Sequence, residues 1–248
     1  MRYKAVVFDL FGTVALFQQE KLPIFEWKGH RSRSTLGKLR EFVGGAIPEI
    51  SFDTFYTAML EINQELTDSR EHDLREIQSA VRFTRTLVRA GLADSTETRR
   101  LGETLSLEHM DLLAKATIVP SDHRRLLKRV GAAHKVGLVS NFDHGPTARR
   151  VIGEGGVTNC FSRTVISAEH GWRKPHPKIF SDALTELNVD SSAALFVGDS
   201  PTDDIVGASA VGMDVAWVNE SQKALPDRIP KPRYDIRAIP ELGNILGL

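Results

Sequence analysis

Ala5-Val6-Val7-Phe8-Asp9-Leu10-Phe11-Gly12-Thr13 begins as an apolar, β-branched run, reaches a carboxylate and then turns through Gly-Thr. An uninterrupted apolar run of this length marks a strand buried on both faces, the habit of parallel sheets. Ligands of open α/β sheets bind beyond the carboxyl ends of the strands. Asp9 is therefore expected at a strand tip, where a carboxylate serves as nucleophile or metal ligand. The competing reading of Asp9 is simple turn chemistry ahead of a glycine.

Downstream of Leu16 the strand signal fades until about Thr117. Phe52–Leu66, Ile77–Leu92 and Thr96–Leu113 have helical periodicity, with Ile77, Val81, Thr84, Val88 and Leu92 on one face of the second. Gly91 reads as a stop and Asp94-Ser95 as a new N-cap. This describes an inserted all-helical domain over residues 17–117. Its segment Trp27–Arg40 is basic, but the insert as a whole has 14 Lys+Arg against 16 Asp+Glu. A solvated face accounts for that segment better than an anion-attracting rim does, and more strongly so for Arg82, Arg85 and Arg89.

Beyond Pro120, strand and helix alternate. Ser121–Val130 reads as a helix capped by Ser121, Val136–Val139 as a strand, and Gly145-Pro146 as a helix start. Strands Arg163–Ile166, Ala194–Val197 and Asp214–Val218 are separated by helices Pro177–Leu187 and Asp203–Val211. The proline-rich tail is expected to end in a short strand and helix. The fold class is thus α/β, a doubly wound parallel Rossmann-like sheet with right-handed crossovers. Its core comprises residues 1–16 and 118–248.

The balance of 32 basic and 32 acidic residues leaves no bulk field to draw the chain to nucleic acid or to a membrane. No apolar run approaches the ~18 residues of a membrane span, and no signal peptide precedes the first strand. Cys160 is the lone cysteine, which suits a reducing compartment and a cytoplasmic location.

Chemistry concentrates at the predicted strand tips. Ser140-Asn141 places a hydroxyl and an amide before a helix N-terminus, which suits an oxyanion as well as a common turn. Lys174 lies between Trp172 and two prolines, Pro175 and Pro177, in a stiff loop. A point charge held there can offset repulsion between an anionic nucleophile and an anionic substrate. Gly198-Asp199-Ser200-Pro201-Thr202-Asp203-Asp204 brings three carboxylates to the next tip, a pattern for Mg²⁺. Capping of the following helix by Asp203 is the structural alternative.

These four stretches, in this order, resemble the haloacid dehalogenase-like hydrolase superfamily. Phe8–Thr13 looks like its first motif, Val139–Asn141 its second, Lys174 its third and Gly198–Asp204 its fourth. The insert looks like that superfamily's helical cap. The wording of Ser140–His144 and Gly171–Pro175 is similar to the rhythmically expressed gene 2-like branch. The resemblance implies a Mg²⁺-dependent phosphatase acting on a small phosphorylated metabolite. Asp9 would attack phosphorus and carry an aspartyl-phosphate. Asp9, the main-chain carbonyl of Phe11 and Asp199 would ligate Mg²⁺, with Asp204 in support. Ser140, with Asn141 beside it, and Lys174 would hold the phosphoryl oxygens, and Thr13 would orient the loop.

One position departs from the pattern. Phosphatases of this superfamily carry a second aspartate two residues after the nucleophile, which protonates the leaving oxygen. Here that position is Phe11. The 2-haloacid dehalogenases are similar there, with an aromatic residue, but lack the acidic fourth motif that this chain keeps. Metal-free dehalogenation and a catalytically weak phospho-ligand-binding role are therefore the alternatives. Phosphonate cleavage would need a lysine from the insert, for which Lys21, Lys28 and Lys38 are placed by position only. Asp143 and His144 are the nearest spare titratable residues, and they also suit a helix start.

Overall fold

The computed structural model describes residues 2–70 and 72–248. The chain divides into two compact units, Met1–Phe17 with Ile118–Leu248, and Gln18–Thr117.

In the first unit, β1 (Ala5–Phe8) is followed by β2 (Leu16–Phe17), where the chain leaves for the insert. The insert runs through β3 (Ile24–Trp27), β4 (His30–Arg33), α1 (Leu36–Ala46), α2 (Phe52–Ser69), α3 (Ser79–Arg89) and α4 (Thr96–Lys115). The chain returns at β5 (Thr117–Ile118) and alternates through α5 (Ser121–Ala133), β6 (Lys135–Ser140), α6 (Gly145–Glu154), β7 (Arg163–Ile166), α7 (Ser167–His170) and α8 (Pro177–Leu187). It finishes with β8 (Ala194–Gly198), α9 (Val206–Ala210), β9 (Asp214–Val218), β10 (Tyr234–Ile236) and α10 (Leu242–Leu246). The tail strand and helix are where the sequence places them.

The six core strands form one sheet in the order β10-β9-β8-β1-β6-β7, every pair parallel. All four residues of β1 and all five of β8 are buried, which is why those stretches are continuously apolar rather than alternating. Val7, Val139 and Phe196 join Ile179, Phe180 and Leu187 of α8 in one core cluster. Successive side chains of a strand point to opposite faces, so Val6, Phe8 and Leu138 fill the other side. Register fixes the tips. Phe8 lies opposite Leu138 of β6 and Val197 of β8, so Asp9, Ser140 and Asp199 emerge at the same edge of the sheet.

Two details of the core differ from expectation. Ser121 is the first residue of α5, and the N-cap position belongs to Pro120, with no side-chain cap. The helix expected from Asp203 begins earlier, as a turn of π-helix, Pro201–Ile205, ahead of α9. Its N-cap is Ser200, whose side chain accepts from the Asp203 N–H, so Asp203 is not the cap. The hydroxyl has the better position for that bond, and the Asp203 carboxylate is released for other contacts.

The insert is helical with one addition, an antiparallel hairpin of β3 and β4. Lys28 and Gly29, both at positive φ (49° and 78°), form its two-residue turn, the mirror-image geometry that matches strand twist. Periodicity missed it because β4, His-Arg-Ser-Arg, is fully exposed and carries no apolar alternation. The insert's own core gathers Leu39, Val43, Phe55, Phe83, Leu87 and Leu105. On α3 the buried residues are Ser79, Phe83, Thr86 and Leu87, whereas Val81 and Val88 of the apolar-looking face are 43% and 37% exposed. Those two valines and Thr84 border an open groove of about 830 Å³. Ser95 caps α4 by accepting from the Thr98 N–H at 3.1 Å, as the sequence suggests.

Candidate active site

Asp9 continues β1 and is anchored by its own N–H, which donates to the Val197 carbonyl at 2.8 Å. The chain then turns tightly. Ala15 N–H donates to the Leu10 carbonyl at 2.7 Å and Gly12 N–H to the Ala15 carbonyl at 2.8 Å, leaving the Phe11 carbonyl outside both bonds. Gly12 has φ +90°, and a Cβ there would lie 2.6 Å from Asp199 Oδ2. Glycine thus serves both the left-handed backbone and the close approach of a carboxylate. Thr13 is buried and its hydroxyl donates to Asp199 Oδ1 at 3.3 Å.

Three carboxylates converge here. Asp9, Asp199 and Asp204 each place an oxygen within 4.8 Å of the others. Lys174 enters the same space with its side chain 2% exposed, its Nζ 2.5 Å from Asp9 Oδ1 and 2.7 Å from Asp204 Oδ1. Asp204 is tied down by its second oxygen, which accepts from the Ser200 N–H at 2.9 Å. The Asp199 carbonyl accepts from Trp217 Nε1 at 3.0 Å. Beside Asp199 a cavity of about 680 Å³ opens, bordered by Thr13, His123, Asn219, Lys223 and Arg237.

The electrostatics follow from burial. Desolvation pushes Asp9 up to about 7, with Asp204 and Asp199 adding to the shift and Lys174 opposing it. Desolvation and Asp204 push Asp199 up to about 6. Burial works against the charge on Lys174, but Asp204 and Asp9 outweigh it and hold the ammonium protonated well above its ordinary range. With all groups ionised, the cluster carries three negative charges and one positive. Its donor set is oxygen only and its net charge is that which one divalent cation neutralises. Hard cations such as Mg²⁺ take such sites, and a bound dication would reverse the upward pKa shifts. The residues present therefore fit Mg²⁺.

The other predicted residues divide by role. Ser140, at the tip of β6, is fully buried, and its hydroxyl has no hydrogen-bond partner among the described residues. A buried hydroxyl without a partner is costly unless a ligand supplies one. Asn141 does not offer its amide to the crevice. Its Oδ1 accepts from the Lys174 N–H at 2.7 Å, and its Nδ2 donates to the Lys174 carbonyl at 2.9 Å and to Asp203 Oδ2 at 3.2 Å. Phe11 stacks on Phe142 with ring centroids 4.4 Å apart. His144 is the N-cap of α6, with Nδ1 2.8 Å from Thr147 Oγ1, and burial lowers its pKa. Trp172 stacks on His176 at 3.9 Å in the loop that carries Lys174, where the Lys174–Pro175 peptide is cis. Sequence reasoning passed over Phe142 and Trp217, which touch or flank the motifs, and it read Asp203 as a metal-site carboxylate or helix cap rather than as the partner of Asn141.

A family profile described as "Hydrolase: haloacid dehalogenase-like hydrolase" matches residues 3–212. The chain belongs to the haloacid dehalogenase-like hydrolases. Over 168 residues it is 27% identical to the glyceraldehyde 3-phosphate phosphatase of Pyrococcus abyssi, covering 68% of this chain and 66% of that protein. Over 118 residues it is 36% identical to haloacid dehalogenase-like hydrolase domain-containing protein 3 of Bos taurus, covering 45% and 43%. The matched part of the chain thus spans between about two fifths and two thirds of these relatives. The crystal structure of a 2-haloacid dehalogenase from Pseudomonas syringae superposes with a TM-score of 0.76 over 99% of this chain and 98% of that one, at 24% identity. That likeness is one of fold. No helix among the described residues is long and apolar enough to cross a membrane.

Proposed function

We propose that this hydrolase is a Mg²⁺-dependent phosphatase that works through an aspartyl-phosphate on Asp9, with a small phosphorylated metabolite as substrate. The observation that carries the reading is the convergence of Asp9, Asp199 and Asp204 around the buried ammonium of Lys174. The phosphatase name of the Pyrococcus relative supports it.

Asp9, Asp199 and Asp204 would hold the metal, together with the Phe11 carbonyl. The ion would supply charge neutralisation for an anionic nucleophile meeting an anionic phosphoryl group. The chain's own residues do the rest. Asp9 is the carboxylate at the strand tip and the attacking group. Lys174 draws charge from its Oδ1 and offers N–H donors to phosphoryl oxygens. The Ser140 hydroxyl finds in a phosphoryl oxygen the partner it otherwise lacks. Thr13 holds Asp199 in place. The insert would act as the cap that selects the substrate, since function resides in what is grafted on the fold. The even charge balance accords with a lack of nucleic-acid partners, and the lone cysteine with a reducing, cytoplasmic compartment.

Phe11 favours one second reading, a 2-haloacid dehalogenase, because displacement of halide needs no leaving-group acid. Against it stands the acidic cluster, which without a cation would repel both an anionic nucleophile and a haloacid.

The deciding experiment measures phosphate release from an aryl phosphate and a panel of metabolite phosphates, glyceraldehyde 3-phosphate among them, with Mg²⁺ and with chelator. Mg²⁺-dependent release is expected, with Asp9→Asn at least about 10³-fold slower. Absence of release from every ester, with halide liberated from 2-haloacids in chelator, would establish the dehalogenase instead.

A further inference from the structure

The fourth motif contains two adjacent carboxylates, Asp203 and Asp204, and the structure separates them. Asp204 joins Asp9 and Asp199 around Lys174, whereas Asp203 is absent from that cluster. Asp203 Oδ2 instead accepts from Asn141 Nδ2 at 3.2 Å.

Asn141 itself grips the main chain of Lys174 at both polar atoms, accepting from its N–H at 2.7 Å and donating to its carbonyl at 2.9 Å. An amide can make this pair of bonds in one orientation only. If its oxygen and nitrogen exchanged places, the NH₂ would confront the Lys174 N–H and the oxygen would confront the Lys174 carbonyl. A neutral environment would still permit that flip at the loss of two hydrogen bonds. A carboxylate beside the amide forbids it more firmly, because an ionised carboxylate only accepts and would meet the amide oxygen head-on. Asp203 thus selects the Asn141 orientation that fits Lys174. The charge-assisted character of the bond adds to its strength.

We infer that Asp203 is a positioning residue that acts through Asn141 on the backbone of Lys174, and not a metal ligand. The chain of contacts is Asp203 carboxylate, Asn141 amide, Lys174 main chain, then Lys174 Nζ at 2.7 Å from Asp204 and 2.5 Å from Asp9. It runs from the π-turn after β8, across the tip of β6, to the loop before α8, and so ties three segments of the catalytic edge together. Ser200 fixes the backbone at this point, its hydroxyl accepting from the Asp203 N–H at 3.2 Å. The inference builds on the proposed part of Lys174 in phosphoryl transfer, but its structural half does not depend on that reading.

The test has two arms. In the metal-free protein, amide hydrogen exchange at Lys174 reports the Asn141 bond directly. It is expected to accelerate in Asn141→Ala and in Asp203→Ala, and to remain near wild type in Asp203→Asn, which keeps an acceptor oxygen of the same shape. Mg²⁺ affinity, read by calorimetry, is expected to stay within about threefold of wild type in Asp203→Ala. In the activity arm, misplacing Lys174 by a fraction of an ångström to an ångström is expected to lower kcat up to about 10²-fold. The Asp203→Ala/Asn141→Ala double variant should be no slower than Asn141→Ala alone, since the two act in series. A tenfold or greater loss of Mg²⁺ affinity with Lys174 exchange unchanged would make Asp203 a metal ligand and overturn the inference. Additive losses in the double variant would also overturn it. Should no substrate be turned over, the phosphatase reading fails, while exchange and calorimetry still decide the role of Asp203. Asp203→Asn, isosteric with the native residue, covers the case in which the alanine variant does not fold.

Discussion

The two units handle charge in opposite ways. In the core, Lys174, Asp9 and Asp204 pair with side chains 2%, 8% and 1% exposed. In the insert most ions pair on the surface, the Glu76 carboxylate, 1% exposed beside Arg70, being an exception. Arg89 reaches Glu61 at 3.0 Å and Glu65 at 2.7 Å, Lys115 reaches Asp111 at 2.6 Å, and Lys28 reaches Asp53 at 3.0 Å, all with partners largely in water. Exposed pairs contribute little, because water already solvates both partners and ordering long side chains costs entropy. Buried ions carry a desolvation penalty that their mutual attraction offsets only while every partner is present. Buried charge of both signs concentrates in the core crevice, where the proposed chemistry has a use for it.

Removing the central cation should give the largest effect. Lys174→Met leaves Asp9, Asp199 and Asp204 facing one another without a counter-charge. Breaking a buried pair in this way typically destabilises by about 3–5 kcal/mol. The expected result at pH 8 in chelator is a large drop in melting midpoint, partly restored by Mg²⁺ and partly by lowering the pH, since protonated carboxylates no longer repel. An unchanged midpoint in chelator would show that the cluster relaxes outward and that the core does not store its charges as described.

The second effect sharpens the chemistry of the core. Phe11 and Phe142 stack where a leaving-group acid would otherwise stand. Lys174 is held protonated by Asp204 and Asp9, and under the proposed function Asp199 and Asp204 would hold the metal, so none of the three would be free to protonate a leaving group. Turnover of aryl phosphates is therefore expected to exceed that of alkyl phosphates steeply. Phe11→Asp is expected to raise the alkyl rate by about 10²-fold, the usual contribution of a positioned acid. Equal wild-type rates on both ester classes would mean that another group supplies the proton.

How much of this was visible in the sequence depends on what each residue contacts. β1 and β8 were legible because burial on both faces leaves an unbroken apolar run, and Asp9, Ser140, Lys174 and Asp199 because each follows a strand or loop with a recognisable end. The separation of Asp203 from Asp204 was not legible, since it depends on Ser200 capping a π-turn rather than on composition. The amide of Asn141 was read as facing an oxyanion, and only the fold brings the Lys174 main chain across to claim it. In the insert, α3 misled because Val81 and Val88 are spaced like a core face while Phe83 and Leu87 actually fill it. The exposed hairpin strand carries no period at all.

A buried histidine of the insert yields a pH prediction. Burial, reinforced by Arg82, pushes His109 down to about 3. Its Nδ1 lies 2.8 Å from Thr35 Oγ1, and its ring meets Phe83 edge-on at 5.6 Å. A group whose folded pKa lies below its unfolded value of ~6.5 contributes stability that is present above that value. The contribution is lost as pH falls, because the unfolded chain binds the extra proton. Between pH 6.5 and pH 5 the loss from this residue is expected to reach about 2 kcal/mol. Denaturant unfolding at pH 7 and pH 5 should show that difference, and His109→Asn should remove it. A variant that keeps the full pH dependence would place the titration elsewhere.

The smallest effect is the one the comparison demands most strictly. Arg89 makes two ion pairs from α3 to α2, and its guanidinium is held above its ordinary pKa first by Glu65 and then by Glu61. Like Lys174, it makes two ion pairs. Yet its side chain and those of both glutamates are 41%, 52% and 56% exposed, so removal returns each carboxylate to water it already meets. Arg89→Ala is expected to leave the melting midpoint within experimental scatter of wild type, at low salt and at high. A clear loss that salt abolishes would show that the insert relies on its surface network, and the contrast between a core with functional buried charges and an insert with dispensable ones would not hold. A clear loss that salt leaves intact would trace instead to the aliphatic stem of Arg89, which like Val88 borders the open groove. The salt dependence therefore separates charge from packing at this position.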